Sequence, residues 1–196
     1  MNRDDLLDLF RRCSALLEGH FRLSSGLHSP GYLQCALVLQ HPQHAAALGA
    51  ELAGRVRDLR PTTVLSPALG GLIIGHEVAR ALGARAIFAE REDGALRLRR
   101  GFTIADAERV LVVEDVVTTG GSTRETMQVA TAAGAQVVAA VAVVNRSGGR
   151  ATLDAPLHAL LDLSLPTYEP DACPLCAQGL PIVKPGSRQV AVPHDK

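Results

Sequence analysis

The sequence predicts an α/β fold, an open parallel sheet flanked by helices, on three observations. Short apolar runs that read as buried strands alternate with helical periodicity from residue 62 to about residue 163. One run, Val110-Leu111-Val112-Val113, lacks the polar alternation of a half-solvated strand and fits a parallel sheet covered on both faces. A chain of 196 residues, 47% of them apolar, suits one domain around one core.

Each element follows from local pattern. Residues 4–18 carry Leu6, Leu7, Phe10, Cys13, Leu16 and Leu17 at a 3.6-residue spacing, with Asp4 and Asp5 in front and Gly19 behind, which predicts a helix. Ser, Gly and Pro break up residues 20–39, where residues 32–37 read as a strand. Pro42 opens a second helix with Ala45, Leu48, Leu52 and Val56 on one face. A strand over 63–66 leads into the loop Pro67-Ala68-Leu69-Gly70-Gly71, a helix to about Leu82 and a strand over 86–89. Residues 91–101 place an Asp93-Gly94 turn between polar flanks and read as an exposed hairpin. After the strand over 110–113 come a Gly-rich loop, a helix over 123–133, a strand over 137–144 and a weaker strand over 157–163. Six of the 11 prolines lie at or beyond Pro166, so 164–196 reads as an irregular tail. The expected layout is an N-terminal helix and covering segment over 1–40, an α/β core over 60–163, then that tail.

Composition excludes several functions. Lys+Arg 20 balances Asp+Glu 20, which argues against a general nucleic-acid or anionic-membrane binder. Only Lys184 and Lys196 are lysines, so anion binding upstream rests on arginine forks and backbone amides. The start Met1-Asn2-Arg3-Asp4-Asp5 shows no secretory pattern, and the longest apolar run, 137–144, is far short of the roughly 20 residues that span a bilayer. With four cysteines in a chain of this length, a cytoplasmic protein is expected.

The chemistry concentrates after residue 110. Glu114 and Asp115 stand at the carboxyl end of the buried strand, where open α/β sheets bind ligands. Val116 and Val117 lead into Thr118, Thr119, Gly120, Gly121 and Ser122, a loop of small residues and hydroxyls that opens a helix. Glycines allow close backbone approach, and free N–H groups at a helix start favour an anion, which together suit a phosphate monoester. Two acids beside a phosphate need another partner, and ribose hydroxyls provide one. A cationic sugar transition state would be stabilised by the same carboxylates. There is no Gly-Lys-Ser/Thr and no Gly-x-Gly-x-x-Gly.

This arrangement resembles the signature of the type I phosphoribosyltransferases, an apolar strand, two acids and a Thr/Gly-rich loop. The likeness implies a pyrophosphate loop at Ala68, Leu69, Gly70 and Gly71, a hairpin lid at 91–101, and 5-phosphoribosyl 1-diphosphate as ligand of residues 114–122. Residues 21–32, Phe-Arg-Leu-Ser-Ser-Gly-Leu-His-Ser-Pro-Gly-Tyr, are similar to the base-covering hood of the orotate phosphoribosyltransferases. In that family the arginine of Val144-Asn145-Arg146 holds the orotate carboxylate, a match that a guanidinium fork suits. Ser24, Tyr32 and Thr118 are the other expected orotate contacts. Ser24 and Gly70 stand where the family often carries lysines. In the lid, Arg91 is carried over as a basic residue, while Arg97, Arg99 and Arg100 are assigned by charge and spacing. Their alternative is a solvated hairpin balanced by Glu90, Glu92 and Asp93.

The resemblance further implies Mg²⁺, held mainly through substrate and water with no direct side-chain ligand assigned. It also implies a homodimer in which each lid covers the partner's site, with no nucleic-acid or membrane partner. A purine base, or a regulator that binds the same ligand without turnover, are the alternative functions. Cys173-Pro174-Leu175-Cys176 is half a zinc site that Cys13, Cys35 or a second subunit could complete, though ordinary thiols rank first. The seven histidines show no metal spacing, and His28 sits in the hood.

Overall fold

Val64, Leu65 and the four residues from Val110 to Val113 have no solvent-exposed surface, so the predicted apolar strands do lie inside a sheet covered on both faces. The computed structural model describes residues 1–23 and 25–185. It begins with helix α1 (Arg3–Arg12), strands β1 (Leu16–Arg22) and β2 (His28–Leu33), a single turn α2 (Ala36–Leu39) and helix α3 (Pro42–Val56). The central part alternates β3 (Thr63–Pro67), α4 (Gly71–Leu82), β4 (Arg85–Glu92), β5 (Ala95–Leu98), β6 (Arg109–Val117), α5 (Gly121–Ala132), β7 (Gln136–Asn145) and β8 (Leu157–Asp162). The short helix α6 (Pro174–Ala177) follows in the tail.

The main sheet has the order β5-β4-β3-β6-β7-β8. Strand β5 is antiparallel to β4, and the other pairs are parallel. Side-chain alternation sends Val64, Leu111, Val113 and Val141 to the face covered by α1, α3 and α4, where Phe10, Leu48, Leu52, Ile74 and Val78 are buried. Leu65, Val110 and Val112 point to the opposite face, against Ala130 and Met127 of α5.

This topology positions a site. From β3 the chain crosses through α4 to β4 on one side, and from β6 it crosses through α5 to β7 on the other. Adjacent strands whose connections leave in opposite directions form a crevice at their carboxyl ends, the usual binding place of open α/β sheets. Here the loops after β3 and β6 border it.

Four expectations need correction. The helix predicted over 4–18 stops at Arg12. Cys13 caps it, Ser14 takes a left-handed φ of 52°, and Leu16 and Leu17 enter β1. The 3.6-residue spacing runs on by coincidence, and pairing of β1 with β2 overrides it. The strand predicted over 32–37 also divides: Tyr32 and Leu33 end β2, and Ala36–Leu39 is a helical turn that buries Val38 and Leu39. In the lid, β5 ends at Leu98, so Arg99 and Arg100 lie beyond the strand, Arg100 with φ 58°. Finally, the tail is not merely extended. Tyr168 and Val183 pair with the backbone of the β1–β2 hairpin, and α6 lies between them in sequence. The Asp93-Gly94 turn forms as expected, with φ 50° and 84°, the double positive φ of a type I′ hairpin.

Candidate active site

Strand β6 runs on past its apolar run and carries the two acids at its carboxyl end. Glu114 is 5% exposed, and its Oε2 accepts a hydrogen bond of 2.9 Å from the Ser122 hydroxyl at the start of α5. Asp115 is half-buried, and its Oδ1 accepts from the Val116 N–H at 2.8 Å. Burial, joined by the neighbouring Asp115 charge, pushes the Glu114 carboxyl well up, and burial raises Asp115 as well.

The cradle forms beside them. Thr118, Thr119, Gly121 and Ser122 are exposed, whereas Gly120 is buried with φ 77°. That left-handed turn swings the chain into α5, whose first turn closes with the Arg124 N–H donating to the Gly120 carbonyl at 2.9 Å. The N–H groups ahead of it are the helix start that an anion would meet. The loop Ala68, Leu69, Gly70 and Gly71 faces the cradle across the crevice: a Cβ on Gly70 would sit 2.7 Å from Asp115 Oδ1. Any side chain at this position would require the Asp115 carboxylate to shift. Leu69 is 82% exposed beside it.

Arg146 follows β7, and its N–H donates to the Val117 carbonyl at 2.7 Å, which holds it next to the cradle. Its Nε is buried with no hydrogen-bond partner among the described residues. Burial pulls the guanidinium below its ordinary pKa, and the Cys35 and Tyr32 side chains lie near it. Cys35 is buried, and burial with the nearby Asp115 pushes its thiol up. Tyr32 is half-buried and packs 5.9 Å from the Phe21 ring. The buried, unpartnered hydroxyls Ser66 Oγ and Thr123 Oγ1 belong to β3 and α5, the same two elements that border the crevice. Ser24 lies outside the described residues.

The lid arginines are not gathered at the crevice. Arg91 pairs with Glu125 of α5 at 2.8 Å, Arg97 and Arg99 both reach Glu92 at 3.9 and 3.3 Å, and Arg100 grips Glu90 with two bonds of 2.7 and 2.8 Å. Glu125 was not singled out from sequence. It also accepts the Leu96 N–H at 2.6 Å, so it ties the cradle helix to the hairpin. Its place one turn behind Gly121 was the only sequence signal. Arg124 donates to the Thr152 carbonyl at 2.7 and 3.1 Å and pairs with no acid among the described residues.

Two clefts, of about 440 and 580 Å³, lie along Arg3 and the 163–165 segment, and neither includes Glu114 or the cradle. No described helix is long and apolar enough to cross a membrane.

Residues 37–163 match the phosphoribosyl transferase domain family. Over 190 residues the chain is 53% identical to an orotate phosphoribosyltransferase of Desulforamulus reducens, covering 97% of this chain and 100% of that protein. Two solved orotate phosphoribosyltransferases resemble its fold. That of Aeropyrum pernix is 28% identical with a TM-score of 0.65, over 81% of this chain and 93% of that one. That of Mycobacterium tuberculosis, in complex with inorganic phosphate, is 25% identical with a TM-score of 0.68, over 82% and 95%.

Proposed function

The chain belongs to the orotate phosphoribosyltransferases of the phosphoribosyl transferase domain family, and we propose that the crevice between β3 and β6 is where its chemistry takes place. The activity is transfer of the phosphoribosyl group of 5-phosphoribosyl 1-diphosphate to orotate, giving orotidine 5′-phosphate and pyrophosphate for pyrimidine nucleotide synthesis.

In this reading the residues divide by the part of the substrate they meet. Thr118, Thr119, Gly120, Gly121 and Ser122 hold the 5′-phosphate at the start of α5, where free backbone N–H groups meet an anion. Glu114 and Asp115 accept hydrogen bonds from the ribose hydroxyls. As the C1–O bond to pyrophosphate breaks ahead of attack by orotate N1, the ring gains positive charge and the same carboxylates stabilise it. Ala68, Leu69, Gly70 and Gly71 offer backbone to the departing pyrophosphate. One juxtaposition carries most weight for the base. Arg146 brings a buried, unpartnered guanidinium Nε to the edge of the cradle, beside Tyr32. A neutral purine would leave that group unpaired, whereas the orotate carboxylate pairs it.

The donor set fits Mg²⁺. Two adjacent carboxylates beside a phosphate cradle are the hard oxygen ligands this ion takes, together with substrate phosphates and water. Asp115, the less buried of the pair, would hold it through water, and when bound it supplies charge neutralisation at the leaving pyrophosphate. In the closed state Arg91, Arg97, Arg99 and Arg100 exchange their glutamate partners for pyrophosphate oxygens, and lid closure keeps out water as a competing nucleophile.

Absorbance of orotate with Mg²⁺ and 5-phosphoribosyl 1-diphosphate present tests the assignment, with adenine, hypoxanthine and xanthine as parallel substrates. Orotate is expected to be consumed and the purines left. No loss of orotate would defeat it. The homodimer, in which each lid serves the partner's site, has its own test. An Arg99→Ala/Arg100→Ala chain mixed with an Asp115→Asn chain is expected to regain activity, because mixed dimers hold one intact site; a mixture no more active than its parts would exclude a lid acting in trans.

A further inference from the structure

His20 on β1 and His28 on β2 meet Cys173 and Cys176 of the tail in one cluster. One ligand atom of each, an imidazole nitrogen or a sulfur, lies within 4.8 Å of all the others. This corrects the expected partners of the Cys-x-x-Cys pair. Cys13 and Cys35 pack in or against the main core instead. The two histidines, seven residues of chain between them, are brought together by the hairpin and not by any helical or local ligand spacing.

Four of the six separations among these atoms are close to the edges of a tetrahedral site, and the other two are within 4.8 Å. His20 Nε2 is 3.0 Å from His28 Nδ1, 3.6 Å from Cys173 Sγ and 3.7 Å from Cys176 Sγ, and Cys176 Sγ is 3.3 Å from His28 Nδ1. Tetrahedral zinc, with bonds of about 2.0–2.1 Å to nitrogen and about 2.3 Å to sulfur, sets edges of roughly 3.3 Å between nitrogens and roughly 3.6 Å from nitrogen to sulfur. A second contact orients one ligand. The His20 Nδ1 lies 2.9 Å from the Leu180 carbonyl, which can only accept, so the proton sits on Nδ1 and the Nε2 lone pair points into the cluster. His28 Nδ1, Cys173 Sγ and Cys176 Sγ all crowd that lone pair, an arrangement that one central cation would satisfy at all four atoms. His20, His28 and Cys173 are buried, at 4%, 7% and 4% exposure, so the donors face an interior closed on most sides.

The backbone holds both histidines against the tail as well. His28 and Tyr168 exchange two hydrogen bonds of 2.9 Å, and the Val183 N–H donates to the His20 carbonyl at 2.8 Å. We propose that His20, His28, Cys173 and Cys176 bind one structural Zn²⁺ that clasps the tail to the β1–β2 hairpin. Two thiolates and two imidazoles are soft and borderline ligands that select zinc over Mg²⁺, and four protein ligands leave no open position for substrate. The clasp joins segments 153 residues apart in sequence and braces the hairpin that carries Tyr32.

The test uses the full chain, purified under reducing conditions from zinc-supplemented cells, with metal measured by mass spectrometry. About one tightly held zinc per chain is expected, resistant to dialysis. A Cys173→Ser/Cys176→Ser chain is expected to lose it. Chelator-treated protein reloaded with Co²⁺ alone should show the intense visible bands of a tetrahedral thiolate site, together with recovery of the Tm lost on chelation. Wild-type protein with only trace zinc, zinc retained by the double variant, or a weak octahedral cobalt spectrum would each overturn the proposal. Should the double variant not fold, the metal content and cobalt spectrum of the unaltered chain still decide.

Discussion

A Glu114→Gln chain is expected to melt at a higher temperature than the unaltered chain near neutral pH while transferring phosphoribosyl groups about 10²–10³-fold more slowly. Both effects come from the same placement. Glu114 is buried beside Asp115, and burial together with that neighbouring charge raises its pKa to about 8. In the unfolded chain it titrates near 4.5. Between those values the folded state binds more protons than the unfolded one, so stability falls as pH rises through that window. Below about pH 4.5 both states are protonated and glutamine confers no advantage. The difference in Tm should therefore open above that pH and level off near 8. Glutamine keeps an oxygen to accept the Ser122 hydroxyl and removes the buried charge. A gain of about 1–3 kcal/mol corresponds to roughly 2–4 °C for each kcal/mol in a domain of this size. Calorimetry of both chains from pH 4 to 8.5 checks it; a Tm difference of constant size, or of opposite sign, would show that burial of Glu114 does not cost the fold stability. The lost rate measures what the carboxylate does for the cationic sugar, so this residue trades stability for chemistry.

Arg146→Gln is expected to raise the KM for orotate about 10–100-fold with a smaller change in kcat, since a hydrogen-bonded charge pair contributes about 1.5–3 kcal/mol. The Nε of Arg146 has no protein partner to lose, so the substitution should leave Tm unchanged or slightly higher. Discrimination against uracil, which lacks the carboxylate, should fall with it, because specificity built on a buried polar group vanishes when that group is replaced. Arg146→Lys should recover only part of the affinity, as an ammonium keeps the charge but not the planar fork. Steady-state kinetics with both bases suffices. An unchanged orotate KM would remove Arg146 from the base site.

Much of the site was legible because it is written locally. Val110 to Val113 declare a strand buried on both faces, two acids end it, and Gly120 meets the left-handed turn that the next helix needs. The loop at 67–71 and the Asp93-Gly94 turn are equally local. What escaped depends on residues far apart in the chain. Leu16 and Leu17 continue a helical spacing that only pairing with β2 cancels. His20 and His28 acquire significance from Cys173 and Cys176, which no periodicity connects to them. The lid arginines show a third case. Charge and spacing identified them, but the choice between pyrophosphate and Glu90, Glu92 or Glu125 is a matter of geometry.

The crevice between β3 and β6 also fixes how rigidity is shared across the site. Its floor is the part of the sheet where Val64 pairs with Leu111 and Leu65 with Val112, all four without exposure. Amides in such strands open only with the whole fold. The β1–β2 hairpin that carries Tyr32 is a sheet of its own, and β5 is an edge strand of the main sheet, paired with β4 alone. A substrate bound as proposed would rest on the deeply buried strands of the floor.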